Sequence, residues 1–165
     1  MAMKMLVYAA ALLAMPIGVA HAVTPPPLRE GLWQMHTQDI ASPGNKKTDS
    51  TMQICRNHEY DQYVLSLVNK MKGCTTISEN LEGGTYTAEK RCVVGQTAIQ
   101  GKSVVTFQGD TAAHSETHTT FTPALGGEAS DVMIQDSKYV GSCPAGMQPG
   151  DRMSADGTVI HSGRH

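Results

Sequence analysis

Aromatic and charged residues are both scarce in this chain of 165 residues. It contains one Trp, two Phe and five Tyr, and only 17% of its residues are Asp, Glu, Lys or Arg. The formal net charge of −2 excludes a nucleic-acid binder that acts through bulk positive charge, because such a protein needs a basic surface. Hydrophobic residues make up 40% of the chain, which distinguishes it from a highly charged disordered tail. The length predicts one folded domain.

Sequence motifs of several enzyme classes are also missing. The chain has no C-x-x-C redox pair, no G-x-S-x-G elbow and no H-E-x-x-H zinc helix. His114 and Ser115 are neighbours, but on a strand their side chains would point to opposite faces and could not form a nucleophile–base pair. We therefore expect a protein that is not an enzyme and uses no cofactor.

Long apolar runs are absent apart from one at the N-terminus. Lys4 precedes an apolar stretch over residues 5–19, and the small residues of AHA (residues 20–22) follow it. This order is typical of a secretory signal peptide. The stretch is shorter than the ~20 residues that span a bilayer. We expect residues 1–22 to be a signal peptide cleaved after Ala22, and the mature chain to be exported without spanning a membrane.

Cysteine is sparse, and all four cysteines lie in the part of the chain that would be exported. They are Cys55, Cys74, Cys92 and Cys143. An even number of cysteines in an exported chain predicts two disulfide bonds. The alternative is a four-cysteine zinc site, which normally requires close C-x-x-C pairs. The wide spacing of these cysteines favours disulfides.

The pairing of the cysteines depends on strand register around Gly83-Gly84, a dipeptide typical of a hairpin turn. A two-residue turn places Leu81 opposite Tyr86 and keeps the apolar side chains on one face. In that register Cys74 would lie opposite Val93, and a one-residue slip would turn the whole strand over. A three-residue loop would bring the two hairpin cysteines together but would break up the apolar face. Among three possible connectivities, we therefore favour Cys55–Cys74 with Cys92–Cys143.

One helix is predicted, from Asn57 to about Lys72. Asn57 is a favourable N-cap, acidic residues occupy the first turn, and Gly73 is a natural stop. Apolar residues recur at helical spacing along one face, so we expect the helix to pack on a sheet. These residues are Tyr60, Val64, Leu67, Val68 and Met71.

The rest of the mature chain alternates polar and apolar residues between turn-forming segments, which favours antiparallel strands. The proline-rich start (VTPPPL) cannot join a strand ladder. The predicted fold is mainly β (α+β class): a curved or part-closed antiparallel meander of about six to eight strands, with one packed helix and two disulfide staples. Residues 23–154 would form this single β-rich domain, and residues 155–165 a flexible tail. Strands are expected near residues 31–39, 50–56, 75–81, 86–92, 102–108, 112–122 and 130–140.

Several segments together resemble a known family. They are REGLWQM (residues 29–35), the cysteine that ends QIC, the cysteines that open and close the Gly-centred hairpin, and YVGSCPAGMQPGDRM (residues 139–153). With these segments the chain resembles the bacterial exported family called domain of unknown function 3617. The resemblance implies a mostly antiparallel β fold and a periplasmic or cell-envelope location. Because the signal peptide indicates only export, secretion from the cell stays open as an alternative. It implies no activity and supplies no catalytic residues.

One local cluster has metal-ligand chemistry. On a strand, His114, Glu116 and His118 would share one face, because side chains alternate with a period of two. Two imidazoles and a carboxylate suit zinc or copper, and His36 is a possible further ligand if its strand lies near. The alternative, which we favour, is a polar and solvated sheet face.

The predicted helix supports a different kind of site. An amphipathic helix against a curved sheet can enclose an apolar hollow, and methionine suits adaptable apolar sites. The alternative is a filled core. We rank an envelope protein that binds an apolar or lipid-like ligand first, a structural or protein-interaction module second, and a metal-binding stress protein third. The candidate lining residues are Met52, Val64, Leu67, Met71 and Met133.

Overall fold

The computed structural model describes residues 23–162. The predicted signal peptide, residues 1–22, therefore lies outside the described residues. Within them, nine strands and one helix follow each other along the chain. They are β1 (Gly31–Ser42), β2 (Lys46–Arg56), α1 (His58–Asn69), β3 (Cys74–Glu82), β4 (Thr85–Val94), β5 (Thr97–Gln108), β6 (Ala112–Leu125), β7 (Glu128–Gly141), β8 (Arg152–Ser154) and β9 (Val159–Ile160).

The nine strands form one sheet, in the order β3-β4-β5-β6-β7-β1-β2-β8-β9. Neighbouring strands pair antiparallel throughout. β1 lies inside the sheet between β7 and β2, whereas β3 and β9 form its two edges. The predicted fold class, mainly β with one helix and two disulfides, is confirmed. The sheet is open, and the short strands β8 and β9 add to the seven long strands that the alternation predicts.

The apolar core is centred on Trp33 in β1. Its side chain is fully buried and packs with Leu28 and Ile54. The indole Nε1 donates a hydrogen bond to the carbonyl oxygen of Arg29, 2.8 Å away. The guanidinium of Arg56 lies over the indole ring, 5.3 Å from its centroid. The buried indole thus joins β1 to β2 and to the segment that precedes β1.

A second cluster holds the segment after β7 against the end of β2. Leu32, Cys55 and Met147 are buried together there. The Cys55 amide donates to the carbonyl oxygen of Asp151 at 3.0 Å, and the Gly150 amide donates to the carbonyl oxygen of Cys55 at 2.8 Å. The motif GSCPAGMQPGD is thus bound along its length to β2, which gives it a structural role.

The disulfide pairing that we predicted is wrong. The structure pairs Cys55 with Cys143 and Cys74 with Cys92, in place of Cys55–Cys74 and Cys92–Cys143. The first bond links the end of β2 to the segment after β7. The second bond joins the adjacent strands β3 and β4, whose Cα atoms lie 3.9 Å apart at this point.

The physical reason is a β-bulge in β3. The two-residue turn and the Leu81–Tyr86 pairing occur as predicted. Ser78 then pairs with Glu89 while Thr76 pairs with Lys90, so one extra residue, Ile77, is accommodated in β3. This shift moves Cys74 from Val93 to Cys92. The apolar match near the turn and the disulfide at the far end of the hairpin are therefore both satisfied.

Helix α1 begins as predicted and ends slightly earlier. The side chain of Asn57 caps it by accepting a hydrogen bond from the Tyr60 amide at 2.8 Å. The helix ends at Asn69, whereas the sequence predicts an end near Lys72. No residue of α1 is buried, so the helix lies over the sheet without filling the space beneath it. In the part of the chain that the structure describes, no helix is long and apolar enough to span a bilayer.

The flexible tail predicted over residues 155–165 falls partly within the described residues, and residues 163–165 lie outside them. Residues 155–162 form a turn and the short strand β9, which pairs with β8. Asp151 anchors this segment: its carboxylate accepts hydrogen bonds from the Ser162 amide and from His161 Nδ1, both at 2.8 Å. The sequence gives no periodic signal here because β9 contains only two residues.

Candidate functional site

A cavity of about 430 Å³ lies between α1 and one face of the sheet. The proline-rich segment over residues 24–28 closes one side, because a segment that cannot join a ladder is free to cross the sheet face. Helix α1 covers the cavity with Tyr60, Val64, Leu65 and Val68. The apolar part of its floor comes from Met35, Ile54, Val105, Phe107 and Ala113.

Strand pairing brings residues that are distant in sequence into one floor. Met35 pairs with Ser137, Ser137 with Ala113, and Ala113 with Phe107. Because directly paired residues share a face, this row crosses four strands on the side that faces α1. Small side chains at Ala113 and Ser137 lie between larger ones at the two ends of the row. The depth of the cavity follows from that difference in size.

Neutral polar groups occupy the middle of the floor. Gln135 uses its side-chain amide to donate a hydrogen bond to Thr37 Oγ1 at 3.0 Å. The hydroxyl groups of Ser115 and Ser137 also line the cavity. Within residues 23–162 neither serine side chain has a hydrogen-bond partner, so each is available to one donor or acceptor of a ligand.

The charged residues at the rim are already paired. Arg56 Nε and Asp61 Oδ1 form an ion pair at 2.9 Å, and both side chains are about one-fifth exposed. His58 Nε2 lies 3.0 Å from the carbonyl oxygen of Leu28 and is bonded to it. The positive charge of Arg56 is thus directed at Asp61 and at the Trp33 ring. The cavity therefore offers an apolar surface and neutral hydrogen-bonding groups.

Tyr86 belongs to the same face of the sheet, on the β4 side of Val105. Its hydroxyl donates a hydrogen bond to Glu79 Oε1 at 3.0 Å. Burial of the phenol, together with the carboxylate of Glu79, raises the pKa of Tyr86 to about 12. Tyr86 consequently stays neutral at physiological pH and acts as a hydrogen-bond donor.

Of the five residues that we predicted to line an apolar hollow, only Val64 does so. Leu67 lies on α1 and Met71 lies just after its end, and both are exposed, at 51% and 55%. Met52 is next to Met35 in β2 and adjoins Ser154 of β8, outside the cavity. Met133 is paired with Asp39 and Thr117, farther along β7. The hollow exists, but its predicted lining is mostly wrong.

The sequence analysis missed the contributions of β5 and β6 to the cavity. Val105 and Phe107 alternate with Thr106, so the pattern could have indicated that they share a face. Ala113 and Ser115 are small and carry no such signal. Their role follows only from the register of β6 against its neighbours.

The predicted metal ligands share a face, but they do not converge. His114 Nδ1 contacts Asp136 Oδ1 at 2.7 Å, whereas His118 contacts Glu116. His36 is engaged with Thr51 and Asp49 of β2. Among the described residues, no three His, Cys, Asp or Glu side chains are arranged to hold a metal ion. The candidate ligands His114, Glu116, His118 and His36 are therefore not brought together as a metal site in this part of the chain.

These features define a small, disulfide-bonded protein with an open antiparallel sheet and an apolar cavity under its helix. Residues 28–143 match the model of a family described as protein of unknown function (DUF3617). The chain belongs to this family, and the resemblance drawn from the sequence is confirmed. No curated protein matches the chain.

Proposed function

We propose that the protein is a non-catalytic binder of an apolar or lipid-like ligand, held between α1 and the sheet. One observation carries this proposal: α1 has no buried residue, and its apolar side chains face a cavity of about 430 Å³. Small-molecule sites typically enclose about 300–1,000 Å³ and are mostly apolar with a few polar groups. The cavity meets both criteria.

The ligand would bury an uncharged portion. A buried charge needs a partner, and Arg56, the one lysine or arginine among the described residues that line the cavity, is neutralised by Asp61. The neutral groups of Ser115, Ser137 and Gln135 suit a hydroxyl or carbonyl group instead. We therefore expect an alcohol or an ester to bind better than a carboxylate of the same chain length.

The location we propose is the periplasm, reached through residues 1–22 as a signal peptide. The two disulfides suggest an oxidising, exported compartment. The charged and apolar pattern of residues 1–22 supports the route. A periplasmic binder with an apolar site would have access to envelope lipids.

The test uses a matched pair of neighbours on β6. Ala113→Phe would fill the cavity, whereas Ala112→Phe places the same side chain on the opposite face. The readout is fluorescence of N-phenyl-1-naphthylamine bound to the delipidated protein. We expect wild type and Ala112→Phe to bind the probe, and Ala113→Phe to lose binding.

Displacement of the same probe tests the ligand class. Dodecanol is expected to displace it at lower concentration than dodecanoate, measured above the pKa of the fatty acid. Equal loss of probe binding in Ala112→Phe and Ala113→Phe would contradict a site under α1. Tighter binding of dodecanoate would contradict the uncharged class of ligand.

The second candidate function is a structural or protein-interaction module. It has less support than the ligand-binding function, because the edge strands β3 and β9 are poorly suited to pair with another chain. β3 is interrupted by the bulge at Ile77, and β9 contains only two residues. Bulges and very short strands protect edges against pairing with another chain. An added strand therefore has little regular edge to use at β3 and β9, although β8 leaves residues 46–51 of β2 uncovered.

A further inference from the structure

The end of α1 and the end of β4 meet at one corner of the molecule. The Val93 amide donates a hydrogen bond to the carbonyl oxygen of Gly73 at 2.9 Å. Lys90 Nζ donates to Asn69 Oδ1 at 3.0 Å, and the Cys74–Cys92 disulfide fixes the same corner. We call this region the basic-apolar corner. It consists of Leu67, Lys70, Met71, Lys72, Lys90, Arg91, Val93 and Val94.

Four apolar side chains at this corner are largely open to solvent. Leu67 and Met71 are 51% and 55% exposed, and Val93 and Val94 are each 54% exposed. Single exposed apolar residues are ordinary on a protein surface. Val93 and Val94 are consecutive in β4, so their side chains point to opposite faces of the sheet. Val94 shares the face of Lys90, which contacts Asn69 at the end of α1. With Leu67 and Met71 it forms the apolar part of a contact surface.

The same corner is positively charged in an acidic protein. Residues 62–78 contain two lysines and no acid, and residues 90–109 contain two lysines, one arginine and no acid. The nearest acid in β4, Glu89, accepts a hydrogen bond from Gln100. Within the described residues, none of the four cations of the corner forms an ion pair. Their charge is therefore available to an external anion.

We propose that the basic-apolar corner docks the protein on an anionic lipid bilayer. Lysine and arginine are attracted to a negatively charged membrane surface, and apolar side chains beside them can enter the interface. Leu67 belongs to the helix whose residues Val64 and Val68 line the cavity, and Met71 lies two residues after the end of that helix. Docking through this corner would hold the cavity near the lipid. The docking itself does not depend on what the cavity binds.

The test is flotation of the oxidised mature protein with vesicles. We expect binding to vesicles that contain phosphatidylglycerol, weaker binding at high salt, and little binding to pure phosphatidylcholine. Lys70→Glu with Lys72→Glu should lower the partition coefficient by about tenfold. The matched control is Lys46→Glu with Lys47→Glu, at the opposite end of β2 from α1, which should keep wild-type binding. Met71→Ser should weaken binding while the circular dichroism spectrum stays unchanged.

Two results would overturn the proposal. One is equal loss of binding in both lysine pairs, which would mean that net charge alone matters. The other is unchanged binding after reversal of Lys70 and Lys72. Ala113→Phe should float with vesicles like wild type although it loses the naphthylamine probe. The failure of the docking proposal and the failure of the cavity proposal can therefore be distinguished.

Discussion

Asp151 is a carboxylate that the fold buries, with only 2% of its surface exposed. It accepts hydrogen bonds from the Gln148 amide at 2.9 Å, from the Ser162 amide and from His161. Asp151→Asn would turn an amide NH₂ group toward these donors. We expect this variant to lower the melting temperature by several degrees. Glu82→Gln, at the exposed end of β3, is the control and should have little effect.

The stabilisation by Asp151 also depends on pH in a defined direction. The hydrogen bonds lower its pKa in the folded protein from the ordinary 3.8 to about 2. A lowered pKa stabilises the folded state above the unfolded value, so the contribution is complete above 3.8 and is lost as the pH falls toward 2. The difference in melting temperature between wild type and Asp151→Asn should therefore narrow across this window. A difference that grows on acidification would contradict the assignment.

Gly31 in the GLW segment is required by a close approach between β1 and β7. Its φ is +136°, and an added Cβ would overlap with the carbonyl oxygen of Gly141 and lie 2.8 Å from the Tyr139 ring. Gly31→Ala is expected to cost about 3 kcal/mol or more in the free energy of unfolding. Gly126→Ala, with a φ of +62° and open space around it, should cost about 1 kcal/mol. Urea denaturation of both variants checks that Gly31→Ala lowers the free energy of unfolding more than Gly126→Ala does.

At the scale of elements, the hairpin of β3 and β4 shows where prediction from sequence stops. The turn at Gly83-Gly84 and the apolar face could be predicted, because both depend on neighbouring residues. The bulge at Ile77 could not, because neither the preceding nor the following residues favour a break. A single extra residue then decided the partner of Cys74, and with it the partner of every other cysteine.

The two disulfides are expected to differ in their contribution to stability. Cys55 and Cys143 are 88 residues apart in sequence, whereas Cys74 and Cys92 are 18 apart. In the loop-entropy model, replacing the first pair with Ala should cost about 4–5 kcal/mol and the second about 3 kcal/mol. Denaturation of the two double variants measures the difference. Proteolysis without reduction should yield one linked peptide pair for each bond, and a Cys55–Cys74 peptide would contradict the connectivity.

At the scale of the whole molecule, the cavity was predictable in kind but not in its lining. The amphipathic helix and the sheet follow from local patterns, and together they suggested a hollow between them. Its shape depends on how far α1 stands from the sheet and on which small residues lie beneath it. Ala113 and Ser137 come from different strands and meet only through pairing. The register between strands that are distant in sequence cannot be predicted from a local sequence pattern.

The compartment in which the chain folds should determine its final covalent state. If residues 1–22 direct export, the protein purified after expression of the full-length chain should begin at Val23. It should also weigh four hydrogens less than the same chain in reduced form, because each of the two disulfides removes two hydrogens. Intact-mass spectrometry checks both features at once. The double variant Leu12→Arg with Leu13→Arg would interrupt the apolar run. We therefore expect it to stay in the cytosol with its N-terminus uncleaved and its thiols free.

The oxidised chain should then withstand more urea than residues 23–165 produced in a reducing cytosol, since both cross-links restrict the unfolded state. Oxidation of the cytosolic product in vitro is the control, and it should restore the stability of the exported protein. An exported chain that keeps residues 1–22, or one that carries free thiols, would contradict the proposed route. An intact leader with both disulfides formed would contradict only the cleavage site, because the bonds report the compartment independently of the peptidase.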